Sequence, residues 1–203
     1  MNNSLTPEYI LSEVRKIQYL YGLKREIRYG QKRAEDDHTE SVAEHIYGMH
    51  LLAQYFLPLE NEAGDWDRAR IFTMITVHDL DEIETGDTIS YLKTDEIRAA
   101  GEAALMQVVS GAPSHLQPLL SEHLDEYESQ STPESRFVKA IDRIEPLFQS
   151  YTKPGKALFL HNKQTASQSR RIKEEYLKPF PIMYTYYRAI HEAMIAEGFF
   201  HPE

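Results

Sequence analysis

Cysteine is absent from the 203 residues, which excludes disulfides and thiolate metal centres and leaves His, Asp and Glu as the strong ligand types. No stretch approaches the run of about 20 apolar residues that a membrane-spanning helix needs. Residues 1–11 also lack the basic start and apolar run of an export signal. These absences predict a soluble, unprocessed, cytoplasmic protein with no membrane partner. Basic residues are in deficit: 22 Lys and Arg against 32 Asp and Glu leave a net charge of -10, which argues against a nucleic-acid partner. An anionic substrate would have to be met by a local basic cluster. Strand-like alternation and internal repeats are missing too. The expectation is an all-α chain with one core, a single domain over residues 1–203.

What is present is helical periodicity. Thr6-Pro7-Glu8 reads as a helix start, followed by Ile10, Leu11, Val14, Ile17, Leu20 and Tyr21 at helical spacing. Between Leu23 and Arg33, five basic residues (Lys24, Arg25, Arg28, Lys32, Arg33) face one acid, Glu26, and this segment is expected at the solvated surface. Ser41-Val42-Ala43-Glu44 fits a capping box for a helix running to about Leu57. Asp65 or Asp67 is expected to cap the next helix, which carries Ile71, Met74, Ile75 and Val77, reaches His78 and Asp79, and ends before Gly86. Thr94 opens a helix closed by Gly111, Ser114 to Glu128 reads as another, and Thr132-Pro133-Glu134 starts the one holding Phe137, Val138, Ile141 and Ile144. Lys153-Pro154-Gly155 is expected to break or redirect the chain. Helices through Lys173 and Leu177 and from about Met183 to Glu197 complete it, the last rich in aromatic residues that suit core packing or a dimer contact.

Polar groups intrude on the apolar faces of three of these helices: His45, then His78-Asp79, then Asp142 inside Val138-Lys139-Ala140-Ile141-Asp142-Arg143-Ile144. A buried carboxylate costs several kcal/mol unless it is paired or bound to a cation. Two imidazoles and two carboxylates could hold one divalent ion in a mixed nitrogen and oxygen shell with positions left for water. Each has a plainer reading. His45 alone suits a hydrogen-bonded core, Asp142 could pair with Arg143 or Arg136, and His78-Asp79 could be helix-end chemistry. Their joint occurrence favours the shared ion. Glu82, at i+4 from His78, would project beside that ion on a continuous helix, while Asp81, Glu82, Glu84 and Asp87 could otherwise be a solvated acidic helix end.

The order His45, His78-Asp79, Asp142 resembles the H...HD...D signature of HD-domain metal-dependent phosphohydrolases. The flanks Glu40-Ser41-Val42-Ala43-Glu44-His45, His78-Asp79-Leu80-Asp81-Glu82-Ile83 with Gly86-Asp87-Thr88, and Thr132-Pro133-Glu134 to Asp142-Arg143 are similar to the subgroup of bacterial 5'-deoxyribonucleotidases and their eukaryotic relatives. The likeness extends over roughly residues 13–155. It implies a helical HD domain with the metal site between central helices, and His45, His78, Asp79 and Asp142 as ligands of one divalent ion (Mn2+, Co2+, Zn2+, Fe2+, Ni2+ or Mg2+). It implies further that Glu82 serves the reacting water or leaving oxygen, that Asp87 lies near the sugar, and that Arg28 contacts phosphate. Relatives often carry a tryptophan close after that arginine, where this chain has Tyr29, Gly30 and Gln31.

The implied activity is hydrolysis of a phosphomonoester, foremost a (deoxy)nucleoside 5'-monophosphate, by a homodimer. A pyrophosphohydrolase acting on a nucleotide or alarmone is the enzymatic alternative. A non-catalytic, metal-bearing nucleotide-binding module is the other, and it would have no need of Glu82 and Asp87 beside the ligands. His115 and His123, between the HD pair and Asp142, are the histidines a two-metal variant would recruit. His50, His161 and His191 are assigned to surface or core packing.

Overall fold

Several helix starts in this chain are fixed by short polar side chains that satisfy the free backbone N–H groups of the first turn. Ser41 accepts from Glu44 N while the Glu44 carboxylate accepts from Ser41 N, the expected capping box of α2, Val42–Glu60. Asp67 caps α3, Arg68–Val77, through Arg70 N at 3.1 Å, and Thr94 caps α5, Asp95–Gly111, through Ile97 N at 3.3 Å. Thr165 and Gln168 form a second capping box at α9, Ala166–Leu177.

The computed structural model describes residues 5–20, 24, 26–27, 31–34, 37, 39–86 and 94–203. Ten helices appear among them, the four above together with α1 (Pro7–Leu20), α4 (Glu82–Thr85), α6 (Gln117–Ser129), α7 (Pro133–Ser150), α8 (Lys153–His161) and α10 (Pro181–Ala196). The all-α expectation holds, with one addition that the sequence did not announce: a two-residue antiparallel ladder pairing Glu26–Ile27 with Gln31–Lys32. Among the described residues no helix is long and apolar enough to cross a membrane.

Several helix boundaries differ from expectation. α2 continues past Leu57 to Glu60, because Pro58 lies in its last turn and forfeits only a bond close to the helix end. Lys153-Pro154-Gly155 follows the break between α7, which ends at Ser150, and the next helix. It opens α8, with Thr152 accepting from Gly155 N at 3.1 Å and Pro154 in the first turn, where a missing N–H costs nothing. α3 ends at Val77, with His78 as its C-cap, instead of continuing, and α4 begins only at Glu82.

The chain divides into two compact units, one of Met1–Gly64 with Ala140–Glu203 and the other of Asp65–Lys139, the second boundary falling within α7. In the first, α10 packs on α1, α2 and α9. Its core includes Ile10, Val14, Leu52, Phe56, Ile141, Ile144, Phe148, Met183, Tyr186 and Ile190, all no more than 1% exposed. Phe56 meets Tyr186 at 5.2 Å and Phe148 at 6.2 Å, both edge-on, an arrangement that stabilises beyond plain burial. The aromatic C-terminal segment is therefore largely core. In the second unit α3 and α5 pack on α6, and α4 packs on α5. Val77, Leu120 and Leu124 form a cluster there with Leu80, Leu105, Val109 and Ala112.

Candidate metal centre

The second unit carries His78 and Asp79. After Val77 the chain tightens: Leu80 N bonds Val77 O at 3.2 Å, Glu82 N bonds Asp79 O at 3.1 Å and Ile83 N bonds Leu80 O at 3.3 Å. These i→i+3 bonds are those of a 3₁₀ turn, which advances about 120° per residue instead of 100°. The i,i+4 alignment of His78 with Glu82 expected of a continuous helix is thus replaced by this turn. Glu82 begins α4, half-buried, with its backbone tied to Asp79.

The same turn brings the side chains of His78 and Asp79 together, with Nε2 at 3.0 Å from Oδ2. The His78 Nδ1 lies 3.0 Å from the Ile75 carbonyl. A carbonyl only accepts, so Nδ1 is the donor to it and Nε2 is the nitrogen on the aspartate side. The ring is fully buried and packs edge-on against Tyr127 at 5.2 Å. Tyr127 in turn takes the Lys139 ammonium on its hydroxyl at 2.9 Å and over its ring at 4.4 Å.

The first unit carries His45 on α2 and Asp142 on α7. His45 Nε2 lies 3.6 Å from Asp142 Oδ1, and its Nδ1 lies 2.9 Å from Glu145 Oε2. Burial opposes charge on this imidazole, yet the hydrogen bonds and charges of Asp142 and Glu145 outweigh it and hold the His45 pKa well above its ordinary value. Burial likewise pushes Glu145 towards its neutral form, and His45 and Lys24 reverse this, leaving its pKa lowered and the carboxylate ionised. The two histidines therefore share one arrangement. In each, Nδ1 is tied to an oxygen behind the ring and Nε2 faces an aspartate oxygen, as in the carboxylate–histidine–metal pattern of protein metal sites. This donor chemistry fits a divalent cation. The alternative pairing of Asp142 is weaker, since Arg143 Nη1 stands 3.9 Å away and Arg136 donates to the Gln130 carbonyl.

Glu145 was not among the residues singled out in the sequence. Its only signal there was its place at i+3 from Asp142 on a helix of apolar neighbours. Lys24 corrects an expectation: it does not lie at the solvated surface but is 5% exposed. Its ammonium donates to Glu40 at 2.8 Å, Glu145 at 2.9 Å and Gln149 at 3.3 Å. Glu40, His45 and Glu145 also offer ligand atoms within 4.8 Å of one another, but Lys24 already supplies the cation between the two glutamates. Burial, aided by the Glu145 charge, raises the Glu40 pKa against the pull of Lys24.

Of the remaining expected residues, Arg28 and Asp87 lie outside the described residues. His123 turns its Nδ1 to the Leu119 carbonyl at 2.9 Å and His115 is exposed. Among the described residues neither joins a cluster of three potential ligands. His191 is buried in the core, as assigned.

Comparison with known proteins gives the family. A family model described as an HD domain matches residues 21–182. This chain belongs to the HD-domain family. Among curated HD-domain relatives it is 32% identical over 130 residues to the 5'-deoxynucleotidase HDDC2 of Bos taurus, covering 63% of this chain and 61% of that one. It is 32% identical over 148 residues to the 5'-deoxynucleotidase hdd1 of Schizosaccharomyces pombe, covering 70% and 72%. The chain spans 61–63% of the length of the mammalian relatives it matches. In fold it is similar to the crystal structure of a predicted metal-dependent phosphohydrolase from Magnetospirillum magnetotacticum, with a TM-score of 0.67 at 21% identity over 95% of this chain and 98% of that one.

Proposed function

We propose that this HD-domain protein is a metal-dependent phosphohydrolase that cleaves nucleoside 5'-monophosphates, deoxynucleotides foremost, to nucleoside and orthophosphate. The observation that carries the reading is the repeated arrangement of His45 with Asp142 and His78 with Asp79, each imidazole fixed through Nδ1 and each Nε2 beside a carboxylate. The names borne by the relatives support the substrate class. His45, His78, Asp79 and Asp142 would hold one divalent ion. Such an ion supplies Lewis-acid activation of water and of a phosphoryl oxygen.

The chain's own groups then have separable tasks. Glu82, at the start of α4 beside the His78-Asp79 turn, takes the proton of the attacking water and returns it to the departing 5'-oxygen as the P–O bond breaks. Arg28 neutralises a phosphoryl oxygen and Asp87 contacts the sugar, two roles that rest on the family likeness. Single-domain organisation, a cytoplasmic location and a homodimer complete the proposal. The exposed Leu59 and Ile195, on the packed helices α2 and α10, are consistent with a second copy, and light scattering of the purified chain tests it.

The deciding experiment is orthophosphate release from a panel of ribo- and deoxyribonucleoside monophosphates with Mn2+ or Co2+. Turnover is expected with at least one deoxynucleotide and is expected to fall to background in Asp79→Ala. Unchanged turnover in that variant sinks the metal assignment. Release of pyrophosphate from a triphosphate, without orthophosphate from any monophosphate, would move the substrate class.

A further inference from the structure

Two glutamates and a lysine lie behind His45, and the proposed chemistry uses none of them. The Glu145 carboxylate is divided between two donors. Its Oε2 takes His45 Nδ1 at 2.9 Å and its Oε1 takes the Lys24 ammonium at 2.9 Å. The Glu145 side chain is 0% exposed and that of Lys24 is 3% exposed. Packing alone does not require this, because apolar side chains of similar volume fill such a space at equal or better stability. The backbone is also adapted to it. A Cβ on Gly48, one turn after His45 on α2, would lie 2.3 Å from Glu145 Oε1 and 2.7 Å from Lys24 Nζ.

We infer that Glu145 is a positioning residue for His45, clamped by Lys24 and seated against Gly48. It fixes the imidazole with Nδ1 protonated and Nε2 offered to a metal ion. A carboxylate behind the ring does this better than a carbonyl, because its charge raises the basicity of the opposite nitrogen and strengthens it as a ligand. Lys24 holds the other oxygen of that carboxylate, reaching across 121 residues of sequence. Gln149, one turn after Glu145 on α7, and Glu40, just before α2, hold the lysine from other sides.

The inference rests on the reading of His45 as a metal ligand, so the test separates the two. Mn2+ affinity is measured by electron paramagnetic resonance of the free ion for the wild-type chain, His45→Ala, Glu145→Gln and the double variant Lys24→Met/Glu145→Met. Circular dichroism and thermal midpoints establish that each is folded. The expected result is folded Glu145→Gln and double variants that bind Mn2+ about 10–100-fold more weakly. Adding Glu145→Gln to His45→Ala should weaken binding no further, since the effect is routed through that ring.

Binding within twofold of wild type in the folded double variant, with His45→Ala defective, would show the ion pair to be structural and leave the proposed activity standing. Wild-type affinity in His45→Ala would overturn the ligand reading and this inference together. If the double variant does not fold, Glu145→Gln carries the comparison, because it preserves the shape of the side chain and can still accept from Nδ1.

Discussion

Gly48→Ala is the sharpest probe of the buried ion pair. In an ordinary helix interior this change stabilises by about 1 kcal/mol, through reduced backbone entropy in the unfolded chain. Here the new methyl would sit 2.3 Å from Glu145 Oε1 and 2.7 Å from Lys24 Nζ, so those atoms must retreat by about 1 Å to reach ordinary contact. Both are tips of flexible side chains and at a surface would swing aside at little cost. At 0% and 3% side-chain exposure they have nowhere to go without losing His45, Glu40 or Gln149. Overpacking costs about 1–3 kcal/mol, and a buried ion pair separated outright costs about 3–5 kcal/mol. Partial separation set against the helix gain leaves a net loss of about 1–3 kcal/mol. That corresponds to a fall of about 3–10 °C in the thermal midpoint of a chain this long.

Gly111→Ala is the control. Gly111 is the last residue of α5, and a Cβ there meets nothing within 4 Å, so the midpoint should hold or rise slightly. Calorimetry or urea unfolding of the two variants side by side decides the matter. A rise for Gly48→Ala equal to that for Gly111→Ala would refute the seating of Lys24 and Glu145 on α2.

Further outcomes follow from other particulars. Gly155→Ala places a Cβ 2.1 Å from the Ser150 carbonyl oxygen, a backbone atom that cannot swing aside, and should lower unfolding free energy by at least about 2 kcal/mol in urea titration. His191 is 2% exposed between Tyr187 and Phe200, and burial, with Arg170 and Lys173 nearby, lowers its pKa to about 4. The unfolded chain thus binds more protons between that value and the ordinary histidine pKa of about 6.5, and stability should fall by up to about 3 kcal/mol as pH drops through this window. His191→Leu should flatten that part of the stability profile. Mn2+ at 100 times its Kd should raise unfolding free energy by about 2.7 kcal/mol, a gain that a chelator reverses and Asp142→Asn abolishes. Ser41→Ala removes the α2 capping box and should cost about 1 kcal/mol by the same titration.

How far each feature was legible depended on the range of the interaction that makes it. The starts of α2, α3 and α5 were readable because Ser41, Asp67 and Thr94 bond backbone groups three residues away, and no distant part of the chain is needed. His45, His78, Asp79 and Asp142 stood out because each is polar where helical spacing calls for an apolar residue. The break at His78 was not legible, since the residues either side keep helical spacing while the backbone shifts to i→i+3 bonds. Nor did the local pattern at Lys153-Pro154-Gly155 distinguish a break from a helix start.

Lys24 shows the limit most plainly. In the sequence it is one of five basic residues in an acidic chain, and net charge assigns such a run to solvent. Tertiary structure alone decides otherwise, because the groups that make its burial affordable are Glu145 and Gln149, 121 and 125 residues away. Sequence by itself determined most of the helix starts, through local geometry, and the HD order of His45, His78-Asp79 and Asp142, through likeness to a family. Only the folded chain determined what stands behind His45, since the ionisation of a buried carboxylate is set by whichever charges the fold brings within hydrogen-bond reach.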